Sequence, residues 1–169
     1  MTRPRVATVW LGGCSGCHMS LLDMDERLVE LAQSFDLVFS PFMDVKAFPE
    51  RVDVALVEGA IANEDHVRTI QIVRERSAVL VALGDCAVTG NVTALRNPLG
   101  GAAPVLDRVY GRPLECVPPL LDKVLTLRAL VRVDFYLPGC PPSADAIHHA
   151  LRELVAGRDP NLRDRATLG

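Results

Sequence analysis

The sequence contains five cysteines, whose thiols are the side chains best suited to bind a metal or to carry redox chemistry. They are Cys14, Cys17, Cys86, Cys116 and Cys140. An odd number of cysteines argues against a framework of disulfides, and the apolar run at 6–11 is too short for a secretory signal. We therefore expect a cytoplasmic protein whose cysteines bind a metal or react.

Four of these cysteines follow segments that are predicted to be buried strands. Strands at 5–11, 78–83 and 133–137 precede the pair Cys14 and Cys17, then Cys86, then Cys140. In an open parallel sheet, ligands bind beyond the carboxyl ends of the strands, so these four thiols are expected at one edge. Four thiolates gathered in this way are typical ligands of a soft metal centre.

The rest of the chain alternates between short apolar runs and amphipathic patterns. Strands are predicted at 5–11, 36–42, 52–57, 78–83 and 133–137, and helices at 21–32, 64–76, 120–131 and after Ser143. The strands are continuous apolar runs, which is typical of a parallel sheet covered on both faces. We therefore predict a flavodoxin-like, doubly wound α/β domain over 1–156, with an irregular excursion at 96–119 and a polar tail at 157–169.

Two other interpretations of the cysteines stay open at this point. A C-x-x-C sequence alone is also typical of a thioredoxin-like redox pair, which would need neither Cys86 nor Cys140. A structural zinc site also uses four thiolates, but its ligands usually come as two local pairs, whereas here one pair is joined by two single cysteines. Cys116 lies in a proline-rich segment, and we expect it to be a buried free thiol.

Glycines and a proline surround the four cysteines that follow strands. Glycine permits a close approach of the backbone to a bulky inorganic cluster and allows N–H groups to point at its sulfurs. Proline restricts the backbone of the loop that directs Cys140. The neighbouring residues expected to support the site in this way are Gly13, Gly16, Gly84, Gly139 and Pro141.

Two ionisable residues lie beside the predicted site. Glu58 ends the strand at 52–57, and its carboxylate is expected to order the neighbouring loops, with proton relay as the alternative. His18 follows Cys17 directly and is expected to hydrogen-bond a cluster sulfur or a partner subunit, with an exposed histidine at the start of a helix as the alternative.

Composition excludes two broad classes of function. The net charge is −3, aromatic residues make up 5% of the chain, and no run of basic residues occurs, so we expect no nucleic-acid partner. The apolar runs are far shorter than the roughly 20 residues that span a bilayer, so we expect no membrane span.

Four short motifs resemble those of one protein family, in the same order. They are GCSGCHMS at 13–20, VEG at 57–59, GDCA at 84–87 and LPGCPP at 137–142. Together they resemble the small subunits of nickel–iron hydrogenases. The sequence is most similar to the short delta-type subunit of the cytoplasmic, NAD-reducing, bidirectional enzymes.

The resemblance implies one 4Fe–4S cluster on Cys14, Cys17, Cys86 and Cys140, and no catalytic residue on this chain. It implies a large subunit that carries the nickel–iron site, where H2 is split or formed, and NAD-reducing diaphorase subunits that carry flavin and iron–sulfur clusters. The alternatives are a hydrogenase coupled to another acceptor, a flavodoxin-like flavin carrier and a zinc-stabilised assembly factor. An FMN beside the cluster is a further candidate cofactor.

Departures from the family pattern refine these expectations. Longer small subunits carry further cysteines for two more clusters, whereas no cysteine follows Cys140 here, so we expect a single cluster. Many relatives have a glutamate where this chain has Met19, which cannot carry a proton. The related quinone-reducing subunit has tandem cysteines in place of C-x-x-C, which argues against a quinone-linked role.

Overall fold

The computed structural model describes residues 2–111 and 117–162, so Cys116 lies outside the described residues. The strands are β1 (Arg5–Trp10), β2 (Asp36–Phe39), β3 (Val52–Glu58), β4 (Ile61–Asn63), β5 (Ser77–Leu83), β6 (Leu120–Leu125) and β7 (Phe135–Leu137). Five of them form a parallel sheet in the order β2-β1-β3-β5-β7. Counted along the chain, this order is the flavodoxin-like arrangement, which confirms the predicted fold class.

Helices cover both faces of this sheet. They are α1 (Gly16–Leu22), α2 (Glu26–Ala32), α3 (Glu64–Arg76), α4 (Asp85–Thr89), α5 (Ala102–Tyr110) and α6 (Ala144–Val155), with 3₁₀ helices at Asn91–Leu99 and Leu127–Ala129. Alternate strand residues enter two separate cores. Val54 and Leu56 pack with α1, α2 and α6, whereas Ala55 and Val57 pack with α3. Burial on both faces explains why the strands are apolar throughout rather than alternating.

The helix predicted at 120–131 is wrong, because the first half of this segment forms β6. This strand pairs antiparallel with β4, with Ile61 opposite Leu125, and a 3₁₀ helix follows it. Leucines and a valine at helical spacing produced the error. Asn97 forms hydrogen bonds with both the N–H and the C=O of Val124, which satisfies strand backbone that a helix would have satisfied internally.

The irregular excursion predicted at 96–119 is also partly wrong. Its described part contains the end of one 3₁₀ helix and the whole of α5. Pro104 does not break α5 because it lies in the first turn, where its missing N–H has no partner within the helix.

The final helix agrees with prediction. The Ser143 side chain accepts a hydrogen bond from the Ala146 N–H, as expected of an N-cap, and Ile147, Ala150, Leu151 and Leu154 are buried along one face. After α6, the chain turns back and the Pro160 carbonyl contacts His149 Nε2 at 2.8 Å. Of the helices in the described ranges, none combines the length and apolar character needed to cross a membrane. The boundary between domain and tail at 156 stays a prediction.

Candidate metal centre

The first cysteine loop connects β1 to α1. Ser15, at its centre, has a left-handed backbone with φ of 66°, and the Gly16 N–H points at Cys14 Sγ at 3.4 Å. This turn leaves Cys14 exposed and buries Cys17 in the first turn of α1. The two thiols of the C-x-x-C pair therefore have different environments, although they are only three positions apart.

The second and third cysteine loops are joined directly to each other. Cys86 lies in α4 after β5, and Cys140 follows β7. Asp85 donates its backbone N–H to the Gly139 carbonyl at 2.9 Å, and its side-chain Oδ1 accepts the Gly139 N–H at 2.7 Å. This buried carboxylate holds the two loops in register. Asp85 was not predicted to support the site, although it directly precedes Cys86 in the sequence.

All four predicted thiols line one small cavity beyond the carboxyl ends of the strands. Its volume is about 60 Å³, and its lining consists of Cys14, Gly16, Cys17, Glu58, Asp85, Cys86, Gly139, Cys140 and Pro141. Within residues 2–111 and 117–162, no three Cys, His, Asp or Glu side chains form a binding site for a single metal ion. The four thiols instead surround the small cavity.

Gly84 makes the closest approach at this site. Its φ is +81°, and a Cβ added there would lie 2.2 Å from Cys17 Sγ. Gly13 is also closely packed, because an added Cβ would lie 3.3 Å from the backbone of Gly59. These two glycines were predicted as neighbours of the cysteines, and the structure places both in contact with the site or its supporting loop.

The electrostatic environment of the thiols is unlike that of a dithiol redox pair. Burial raises the pKa of Cys17 far above its ordinary value, and the Glu58 carboxylate and the other three thiols raise it further. Burial also raises the pKa of Cys86, although hydrogen bonds from Thr93 partly oppose this shift. A thioredoxin-like pair would need neither Cys86 nor Cys140, whereas here both line the same cavity and raise the pKa of Cys17, so this arrangement argues against the thioredoxin-like interpretation.

His18 and Glu58 form a buried pair beside the cavity. Their side chains are 1% and 2% exposed, so the alternative of an exposed histidine is wrong. Glu58 Oε2 contacts His18 Nδ1 and also accepts the backbone N–H of His18 at 3.0 Å. Phe42 packs edge-to-face on the imidazole, with ring centroids 5.6 Å apart. The carboxylate therefore holds the start of α1 against β3.

Two polar residues beside the thiols were not predicted from the sequence. Asn91 Nδ2 donates to Cys140 Sγ at 3.4 Å, and Thr93 lies close enough to Cys86 to lower the pKa of its thiol. Both lie on the 3₁₀ helix Asn91–Leu99, inside a segment whose sequence shows no helical periodicity. The dipeptide Gly90-Asn91 was the available signal, since both residue types accept the left-handed backbone of a tight turn.

Comparison with protein families matches residues 14–154 to the NADH ubiquinone oxidoreductase 20 kDa subunit. The chain belongs to this family. The delta subunit of the NAD-reducing hydrogenase HoxS from Cupriavidus necator is 37% identical, over 91% of this chain and 79% of that subunit. A subunit of the F420-non-reducing hydrogenase vhu from Methanocaldococcus jannaschii is 38% identical over 94% of this chain, which spans only 58% of that longer protein.

One solved structure is similar over nearly the whole length of both chains. It is a chain of an NAD+-reducing [NiFe]-hydrogenase in the H2-reduced state, with 36% identity and a TM-score of 0.92 over 99% of each chain. The resemblance to delta-type hydrogenase small subunits, predicted from four motifs, is confirmed by this match and by the delta subunit of HoxS.

The residues at this site fit a 4Fe–4S cluster. A cluster of this kind is held by four thiolates and is tuned by N–H donors that point at sulfur. Here four thiols line one cavity, and Cys14 and Cys140 already accept hydrogen bonds from N–H groups. The raised pKa of Cys17 also fits, because a buried thiolate needs the positive charge of bound iron.

Proposed function

We propose that this chain holds one 4Fe–4S cluster on Cys14, Cys17, Cys86 and Cys140 and acts as the electron-transfer subunit of a nickel–iron hydrogenase. The observation that carries the proposal is the arrangement of four thiols, from three loops, around one cavity. When bound, the cluster supplies one-electron transfer. The similarity to a chain of an NAD+-reducing [NiFe]-hydrogenase over 99% of both chains supports the assignment to a hydrogenase.

The chain's own residues hold and shield this centre. Asp85 connects the Cys86 and Cys140 loops by accepting the Gly139 N–H, and Glu58 connects β3 to α1 by accepting the His18 N–H. Gly84 gives Cys17 the space that its sulfur needs. We propose that Gly13, Gly16, Gly139 and Pro141 shape the same loops, and that none of the chain's residues performs the splitting of H2.

We propose that the large subunit with the nickel–iron site docks at the thiol edge. Cys14 and Cys140 are exposed there, so a cluster on them would lie close to a docked partner. Exposed apolar side chains lie on the adjoining segments: Trp10, Met19, Val92, Leu95 and Leu99. Tryptophan, methionine and other large apolar residues on a surface are typical of protein interfaces.

We propose NAD+ as the final acceptor, reached through diaphorase subunits that carry flavin and further iron–sulfur clusters. The 37% identity with the HoxS delta subunit supports this choice over other acceptors. Other relatives are subunits of F420-non-reducing hydrogenases, so a hydrogenase coupled to an acceptor other than NAD+ is the alternative. A cytoplasmic location fits such a partner set.

A flavin at the same sheet edge is a second candidate occupant, favoured by the strand order. The cavity between the thiols, of about 60 Å³, is much smaller than the roughly 300–1,000 Å³ of typical cofactor pockets. We therefore favour the cluster, and the experiment below also measures any FMN beside it.

The test replaces each cysteine by serine in the intact assembly, purified without oxygen, and measures iron and flavin. We expect Cys86→Ser and Cys140→Ser to lose the cluster signal of this chain and the H2-dependent reduction of NAD+. Cys116→Ser is the matched control and should keep both. Full iron content and activity in Cys86→Ser would contradict the ligand assignment, and flavin that survives without iron would favour the flavin carrier.

A further inference from the structure

The 3₁₀ helix Asn91–Leu99 contacts all three cysteine loops near its start. The Asn91 side-chain amide donates to Cys140 Sγ at 3.4 Å. The Thr93 hydroxyl donates to the Gly12 carbonyl, in the loop before Cys14, at 3.0 Å, and α4, which carries Cys86, leads directly into the 3₁₀ helix through Gly90. A single short segment therefore connects loops that the sheet delivers from three different strands.

The backbone holds the Asn91 amide in this position by an unusual turn. Helix α4 ends at Gly90, and Gly90 and Asn91 have positive φ values of 89° and 36°. Asparagine is one of the few residues besides glycine that accept this conformation. The Asn91 N–H is close to the Thr89 hydroxyl, at 3.3 Å, so the turn is hydrogen-bonded on its inner side as well.

The other end of the 3₁₀ helix is anchored to β6 and β4. Arg96 donates to the carbonyls of Leu121 and Ala62, at 2.6 and 3.1 Å. Asn97 pairs with both backbone groups of Val124. These bonds hold the segment that carries Asn91 against β6 and β4, and the Asn91 amide faces Cys140 Sγ.

An N–H donor beside a cluster sulfur stabilises the extra negative charge that the cluster gains on reduction. We propose that Asn91 raises the reduction potential of the cluster through its hydrogen bond to Cys140, and so acts as a positioning and tuning residue. This inference rests on the proposed function. It assigns to Asn91 a role separate from metal binding, because its amide contacts a ligand sulfur and would not touch iron.

The test is a redox titration of the assembly with EPR detection of the cluster, comparing wild type with Asn91→Gly. Glycine accepts the positive φ and removes the whole side chain, including the amide donor. Asn161→Gly is the matched control, because Asn161 also has a positive φ of 42° and lies outside the cysteine loops. At the wild-type midpoint, we expect the reduced-to-oxidised ratio of Asn91→Gly to fall about fivefold, or about 40 mV at 59 mV per tenfold.

Asn91→Asp provides a second variant that keeps the side-chain shape and replaces the donor with a negative charge. We expect its potential to fall further than that of Asn91→Gly. A potential that matches the control in both variants would overturn the inference, as would loss of the cluster from both, which would make Asn91 an assembly residue. Wild-type assembly with no iron on this chain would instead overturn the proposed function itself.

Discussion

Single residues packed against the thiols have little freedom to change. Gly84 has a positive φ, and a Cβ added there would lie very close to Cys17 Sγ. Any larger residue at this position would therefore have both an unfavourable backbone conformation and a steric clash. A left-handed alanine costs about 1–2 kcal/mol by itself. The clash with Cys17 Sγ adds a steric term that can be relieved only if the sulfur or the backbone at this position shifts.

We therefore predict that Gly84→Ala loses iron from this chain and about 3 kcal/mol or more of stability. Gly157→Ala isolates the backbone term, because Gly157 has a φ of +70° and nothing within 4 Å of an added Cβ. That control should keep its iron and lose only about 1–2 kcal/mol. Iron analysis and thermal unfolding of the purified assembly measure both quantities, and equal effects in the two variants would contradict the steric argument.

For single residues, the sequence predicted which side chains lie together at one edge of the sheet but not which of them contact each other. Residue type and position after a strand were enough to select the four cysteines and Glu58 as members of one edge. The burial of His18 against Glu58 could not be predicted, because the start of a helix can face either way until the tertiary packing is known. Asn91 was missed for the same reason, since its contact partner is 49 residues away.

Among the elements, β7 is the shortest described strand of the central sheet and the one that delivers Cys140. It has three residues and lies at the sheet edge beside β5. Asp134, just before it, accepts the Leu80 N–H at 2.9 Å and an ion-paired hydrogen bond from Arg74 at 2.6 Å. These bonds join β7 to β5 and α3 at the end opposite the cysteine.

The pKa of Asp134 makes this junction sensitive to acid. Burial alone would raise that pKa, but hydrogen bonds from Arg74 and Leu80 and the charges of Arg74 and Arg132 outweigh burial and lower it. A carboxyl whose pKa falls on folding stabilises the protein above its unfolded pKa, and this contribution is lost as the pH falls through the folded pKa.

We predict that Asp134→Asn lowers stability at pH 7 by about 1–2 kcal/mol, and that the difference from wild type shrinks below about pH 4. Asp44→Asn is the control, because Asp44 and its partner Lys46 are both exposed. Its effect should stay within about 0.5 kcal/mol. Thermal unfolding across this pH range gives the result, and a constant difference for Asp134→Asn at every pH would contradict the assignment.

The elements that the sequence predicted well have one clear pattern, which is a continuous apolar run in the strands and a helical period in the helices. The strands of the central sheet and helices α3 and α6 agree with prediction to within a few residues. The prediction failed for β6 because its backbone partners, Asn97 and β4, are remote in sequence. Its leucines alone resemble one face of a helix. Periodicity cannot reveal a pairing that depends on tertiary contacts.

For the whole molecule, the exposed apolar side chains beside the cavity indicate an assembled rather than an isolated protein. Leu95, on the 3₁₀ helix Asn91–Leu99, is 68% exposed, with Val92 and Leu99 exposed beside it. We predict that Leu95→Asp weakens binding of the large subunit at least tenfold, because a buried charge without a partner is costly at an interface.

Ile72→Asp on α3 is the matched control for this surface, because Ile72 is also an exposed aliphatic residue, at 41%, and lies on a different element. It should leave the assembly intact. Size-exclusion chromatography at several concentrations compares the two variants, and co-elution of Leu95→Asp with its partners as in wild type would place the docking surface elsewhere.

Whether this chain holds one 4Fe–4S cluster can be measured by determining iron and acid-labile sulfide on this chain, separated without oxygen from its co-purified partners, together with EPR of the H2-treated assembly. We predict about four irons and four sulfides on this chain, a cluster that becomes reduced under H2, and nickel only on a larger partner. One zinc per chain, or flavin without iron, would contradict it.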